Sequence, residues 1–214
     1  MKTSFAEMSK FKYPFYIMFH PFDGFAELKY NKKGSVLYAA VLLFLWYVIE
    51  IMNRSSLDFA FNSNRPGKLD IRMVFLMTIA VFLLTVISNW CFSTFMDGKG
   101  TLANIFTAGA YCLIPMMGTM LICIILSKAL VTDEAAYINA IALIGKLWTG
   151  YMIIAAITEI HDFNFGQTVA MICLTVLGLL IMLFLGFLVY SLVQQVIMFA
   201  VNITYEIIYR ITMS

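Results

Sequence analysis

Charge is what this sequence lacks. Lys and Arg number 14 and Asp and Glu 12 among 214 residues, 12% of the chain, about half the share of an average soluble domain. That shortage excludes a solvated surface of ordinary extent. A net charge of +2, with no basic run interleaved with aromatics, argues against a nucleic-acid partner. Cysteine occurs only as Cys91, Cys112, Cys123 and Cys173, each inside an apolar block. Without C-x-x-C or Cys/His spacing, neither a zinc site nor a disulfide framework is expected, and the thiols read as small hydrophobes. No Ser/His/Asp or Cys/His arrangement, Gly-rich phosphate loop or H-E-x-x-H occurs, so nothing builds an activated nucleophile. No enzymatic activity and no cofactor are expected. The first 30 residues lack the short apolar core and cleavage site of a signal peptide, so insertion through the chain's own first span is expected.

What is present is hydrocarbon. Apolar residues make up 62% of the chain and come in blocks, not at the spacing of one-sided burial. Five blocks approach the roughly 20 residues a span needs: residues 35–52, 72–96, 102–126, 137–160, and 167 to about 192. The expected fold is an all-α polytopic membrane helix bundle with five transmembrane helices. Residues 1–34 form a cytoplasmic N-terminal interfacial segment, 35–192 the membrane domain, and 193–214 a C-terminal helical extension. No Gly or Pro follows Gly186, so the fifth block has no turn near residues 192–195. One helix from 167 to 210 would reach about 65 Å, leaving the bilayer or bending along it.

Basic residues set the orientation. Lys2, Lys10, Lys12, Lys29, Lys32 and Lys33 precede the first span, which predicts a cytoplasmic N-terminus and, after five crossings, an outside C-terminus in the cell membrane. Arg54, Arg65, Lys68 and Arg72 in the first loop weaken that vote. The aromatic stretch over residues 11–28, broken by Pro14, Pro21 and Gly24, suits either a segment at headgroup level or a lead-in packed under the bundle. It carries His20 and Asp23.

Several polar residues stand out against this background. Lys146 interrupts the fourth block, where a charge costs about 2.5–3.5 kcal/mol. Glu50, near the outer end of the first block, is its expected partner, with snorkelling of the lysine as the alternative and a substrate or ion contact as the functional reading. Asn89 lies within the second block. In the third, Tyr111 needs a polar partner and Pro115 predicts a kink, read as packing or as a broken helix lining a cavity. Glu159, His161 and Asp162 fall together at the inner end of the fourth block. Three potential ligands in four residues suggest a metal, yet only His20 could add a second imidazole, so a polar helix-end loop is the plainer reading. Asp97-Gly98 and Lys99-Gly100 are turn chemistry, with Thr101 capping the next helix.

Three stretches in this order resemble one known family: HPFDGFAELKY, then WCFSTFMDGKGTLANIFTAGAYCLIP, then ALIGKLWTGYMIIAAITEIHDFNFGQTVAMICLTVLGLLIMLFLGFL. Over residues 14–192 the sequence is similar to the Yip (Ypt/Rab-interacting) five-span membrane proteins, especially their bacterial branch. The resemblance implies a cytoplasmic N-terminus, five helices and no established enzymatic activity. Tyr111 and Pro115 match the family's tyrosine-to-proline element, and Trp148 and His161 match the fourth-span pattern; Lys146 matches no assignable position. Eukaryotic relatives resemble adaptors that recruit small GTPases. Their long polar N-terminal region has no counterpart ahead of the first block, so a GTPase partner is not expected. The expected partners are the lipid bilayer and other integral membrane proteins, a transporter permease among them. The expected role is a non-enzymatic scaffold or accessory protein, with a small oligomeric channel or transporter as the alternative and a lipid-acting enzyme resting only on the Glu159/His161/Asp162 cluster.

Overall fold

In lipid, a spanning segment satisfies its backbone N–H and C=O groups only as a helix or a closed barrel. The computed structural model describes residues 13–31, 34–56, 70–131 and 134–213, and among these no strand occurs. Helix α1 (Tyr13–Phe19) turns at His20 into α2 (Pro21–Tyr30). Helix α3 (Val36–Ser56) follows. The next run joins α4 (Ile71–Phe75), a π-helical stretch over Leu76–Ala80, α5 (Val81–Ser93) and a 3₁₀ turn over Thr94–Met96. Then come α6 (Leu102–Cys112), α7 (Ile114–Leu126), α8 (Ala135–His161) and α9 (Phe165–Met213). Five of these runs are long and apolar enough to cross a membrane, the number read from the sequence. Lys2, Lys10, Lys12, Lys32, Lys33, Arg65 and Lys68, which carry most of the orientation argument, lie outside the described residues, as do residues 1–12 of the N-terminal segment.

Local chemistry explains the breaks. Asp97 adopts the left-handed conformation at φ 54°, and the Gly98 N–H returns to the Ser93 carbonyl at 2.8 Å. The Thr101 hydroxyl then accepts the Asn104 N–H at 3.3 Å, one of the donors that every helix start leaves open. Pro115 sits in the first turn of α7, where its missing N–H costs nothing. The kink expected from it is a break: Leu113 separates two helices, its N–H turning tightly onto the Ala110 carbonyl.

The aromatic stretch, read from the sequence either as a segment at headgroup level or as a packed lead-in, is from Tyr13 to Tyr30 a helical hairpin packed along α8. Phe19 meets Trp148 edge-on, Phe22 meets Tyr151, and Lys29 reaches Asp162. Trp148 and Asp162 lie about 21 Å apart along α8, so α2 runs beside the second half of that helix. The two arms touch closely: a Cβ on Gly24 would stand 2.6 Å from Ile17 Cγ1, and the Tyr13 hydroxyl donates to the Gly24 carbonyl at 2.7 Å. Tyr13, Ile17, Phe25 and Leu28 join Ala108, Tyr111, Met152 and Ala155 in one core.

Helix α9 is continuous for 49 residues, about 74 Å, so residues 193–213 prolong the fifth span. Its buried residues are Thr168, Met171, Thr175 and Gly178, one stripe at helical spacing. Gly178 lets α5 approach: a Cβ there would collide with Phe92 and Ser88. Between helices in lipid, such close approach replaces the hydrophobic effect as the source of affinity.

Candidate functional site

Two polar constellations and one cavity meet where the α5–α6 turn, the α8–α9 turn and the hairpin come together, here termed the Asp162 end. The first constellation is buried. The Thr175 hydroxyl donates to the Met171 carbonyl at 2.8 Å, so toward Asn89 it can only accept, and it accepts Asn89 Nδ2 at 3.0 Å. That fixes the amide's direction and turns Asn89 Oδ1 to His161 Nε2, 3.0 Å away. A carbonyl oxygen only accepts, so His161 carries its proton on Nε2. Its Nδ1 has no hydrogen-bond partner and faces the turn, where a Cβ on Gly98 would come within 2.6 Å of it. Ser88 Oγ donates to the Thr175 carbonyl at 2.8 Å, which locks α5 to α9 beside the histidine.

The second constellation surrounds Asp162, which ends α8 in the left-handed conformation at φ 58°, a state that Asp and Asn tolerate better than most residues. Its carboxylate takes Lys29 Nζ at 2.7 Å, the Tyr30 hydroxyl at 2.9 Å and Lys99 Nζ at 3.1 Å. The Lys29 hydrogen bond, followed by those from Lys99 and Tyr30, holds the carboxyl down at about 2 against partial desolvation. Two segments distant in sequence, Lys29–Tyr30 and Lys99, thus converge on one anion. Lys29 also reaches the Glu159 backbone carbonyl at 3.4 Å.

Above these groups lies a cavity of about 410 Å³, inside the range of small-molecule sites. Along the second span its wall runs from Asn89 to Met77, about 18 Å. Its threonines are satisfied within their own helices, Thr78 Oγ1 donating to the Val74 carbonyl at 2.7 Å and Thr85 Oγ1 to the Val81 carbonyl at 2.8 Å, whereas the Trp46 indole N–H in the same wall has no hydrogen-bond partner. Asn89, the His161 Nε2–H and Thr175 are occupied by one another, so apart from the Trp46 N–H and His161 Nδ1 the wall offers an occupant mainly hydrocarbon. The π-helical stretch supplies Met77 and Thr78 at its far end; such stretches gather at functional sites.

The remaining candidates scatter. Lys146 is exposed on α8, and its expected partner is engaged elsewhere: Glu50 Oε1 takes Arg54 Nε at 2.9 Å, one turn along α3. The partnership read from the sequence fails because an arginine four residues away on the same helix reaches the carboxylate first. Helix α8 begins at Ala135, so Lys146 lies about 16 Å along it. Trp148 Nε1 donates to the Met18 carbonyl at 3.1 Å. Tyr111 is buried edge-on to Tyr13. His20 stacks on Tyr16 at the hairpin tip, beside the Phe19–Trp148 contact and away from the His161 end of α8, and Asp23 is exposed near it. Asp97 serves the turn. Among the described residues no three His, Cys, Asp or Glu side chains gather to hold a metal ion; Glu159, His161 and Asp162 point into different surroundings.

Sequence reading missed Lys29, Tyr30 and Lys99 as partners of Asp162, Thr175 as a partner of Asn89, and Ser88 as a donor to the Thr175 carbonyl. A clue to the second set was on hand: Asn89 and Thr175 are polar residues inside apolar blocks, where an amide must find a partner.

A family model described as the Yip1 domain matches residues 15–188, from the hairpin into the middle of α9. Comparison with curated proteins and with solved structures gives no match.

Proposed function

This chain belongs to the Yip1 domain family, and on that premise we propose that it is a non-enzymatic membrane scaffold or accessory subunit that binds other integral membrane proteins. The carrying observation is α9. Beyond Gly178 none of its described residues is buried, and Phe184, Phe187, Val196, Phe199 and Ile208 stand bare. A helix of about 74 Å exceeds a hydrocarbon core of roughly 30 Å more than twofold. Its outer half therefore carries apolar side chains past the bundle, where a partner's helices would cover them. A transporter permease is a partner of suitable chemistry. We place the Asp162 end in the cytoplasm on the strength of Lys29 and Lys99 at that end, with the C-terminus outside the cell membrane. The cavity's hydrocarbon wall gives a conducting path little support, which weighs against a small channel.

The test is purification in mild detergent from the native membrane. A helical membrane protein should copurify in fixed stoichiometry and be lost on Ile197→Asn with Phe199→Asn. Recovery of the chain alone, in repeated preparations, contradicts the proposal.

A further inference from the structure

Part of the cavity wall is formed by α8 and α9 on either side of the gap between them. These consecutive helices touch near their shared turn, where the Thr158 and Thr168 hydroxyls meet at 2.9 Å. Beyond that point α9 follows α5, to which Ser88, Asn89 and Gly178 bind it. The gap is edged by Ile153 and Ile157 of α8 and by Ile172 and Val176 of α9, all of which also line the cavity. Val176 is 52% exposed and Ile153 39%, so the cavity reaches the outer face of the bundle here. The helices on both sides are membrane-spanning by length and composition, and the medium at the gap is therefore hydrocarbon.

Lys146 belongs to the same edge. Residues 146, 150, 153 and 157 follow one another at steps of four, three and four, which places them on a single stripe of α8. Gly150 separates the lysine from the two isoleucines, and a Cβ built on it would meet nothing within 4 Å. On this stripe no side chain thus stands between Lys146 and the two isoleucines. Lys146 has no ion pair or hydrogen bond to another described residue. Along α8 it stands about 22 Å from His161, while the cavity's far end, at Met77, lies about 18 Å from Asn89. The charge sits close to the level where the apolar space ends.

We propose that the α8–α9 gap binds an anionic amphiphile, its hydrocarbon chain in the cavity above Asn89 and His161 and its carboxylate or phosphate at Lys146. The chain's chemistry follows from the wall, which is mostly hydrocarbon and whose threonine hydroxyls and Asn89 amide are already hydrogen-bonded, leaving the Trp46 N–H and His161 Nδ1 as its unpartnered polar atoms. The head's sign follows from an ammonium that is costly to leave unpaired at this depth. The same chemistry is offered by a free long-chain fatty acid and by one chain of a diacyl anionic phospholipid. This site is separate from the partner surface of α9 beyond Gly178, and either can fail without the other.

The test uses the purified full-length protein in neutral-lipid nanodiscs, with photoactivatable diazirine placed mid-chain in three probes: a long-chain fatty acid, diacyl phosphatidylglycerol and a long-chain alcohol. Adducts on the cavity residues Ile105, Ala108, Ile157 or Ile172 are expected with one or both anionic probes; which of the two labels identifies the source. Lys146→Met should reduce that labelling at least fivefold and leave alcohol labelling unchanged. Val176→Trp, a substitution at an exposed rim position that the fold tolerates, should block labelling by all three. Ile153→Trp provides the same plug from the opposite edge. Adducts confined to the outer surface of α9, or anionic labelling that Lys146→Met does not reduce, overturn the proposal.

Discussion

Lys29 Nζ stands 2.7 Å from Asp162 Oδ1, and this one contact ties the N-terminal hairpin to the turn that joins the last two spans. The lysine side chain is 8% exposed and the carboxylate 27%, between a surface pair and a buried one. Asp162→Asn keeps a residue that tolerates the left-handed turn and removes the charge together with one of the two acceptor oxygens that Lys29 and Lys99 use. Its expected cost is about 1–2 kcal/mol, read as a lower melting temperature in detergent together with faster amide exchange over residues 21–30. A melting temperature within error of wild type would show that the hairpin is held by packing alone.

The same carboxylate sets an acid limit. Its pKa is depressed from an ordinary 3.8 to about 2 in the folded protein, so its contribution is complete above pH 3.8 and fades as pH falls toward 2. Thermal stability of the wild type should drop through that window by more than that of Asp162→Asn. Parallel curves for the two proteins would remove Asp162 from the acid response.

Asn89 is the hinge of the buried chain from Thr175 to His161. Asn89→Leu strands the His161 Nε2–H donor inside the bundle, and an orphaned buried donor costs about 1–3 kcal/mol. Asn89→Asp retains the acceptor for His161 but withdraws the donor to Thr175, so it should melt between wild type and Asn89→Leu. Equal melting of Asn89→Leu and wild type would contradict the hydrogen-bond order described.

At Gly178 any side chain meets Phe92 and Ser88. Gly178→Leu should force α9 off α5 at a cost of about 1–3 kcal/mol and make Asn89 accessible to solvent-borne exchange. Gly186, where a Cβ meets nothing within 4 Å, supplies the control: Gly186→Leu should leave stability unchanged. Equal effects at the two glycines would contradict the close α5–α9 contact.

Glu50 and Lys146 provide a check of a different kind. With Glu50 bound to Arg54, a double-mutant cycle of Glu50→Gln and Lys146→Met should be additive within about 0.5 kcal/mol. Coupling above that would restore the partnership that the sequence alone suggested.

Helix number, order and limits were legible because blocks of about 20 apolar residues leave the backbone no other structure in lipid. The Asp97–Thr101 turn was legible too, since each residue there acts through its immediate neighbours. The hairpin's position was not: residues 13–30 needed the bundle to decide between lying flat and packing, and Trp148 and Asp162 decided it. The Lys146–Glu50 pairing fails because position along a block fixes a residue's height on its helix but not its azimuth, and Arg54 is nearer to Glu50. His161 read as one member of a loop cluster, yet its ring turns inward to Asn89 while Asp162 turns outward to Lys29. Consecutive residues at a helix end diverge in this way, and only the fold shows it.

The scaffold reading stands on the bare surface of α9, and site-specific photocrosslinking in the native membrane addresses it directly. A benzophenone side chain would be placed in turn at Phe184, Phe187, Val196 and Phe199, with the buried Met171 as the control. The account predicts that one distinct integral membrane protein is captured from several of the four positions, on the side of the helix that faces it, and none from Met171. Lipid adducts alone at all four positions would contradict it.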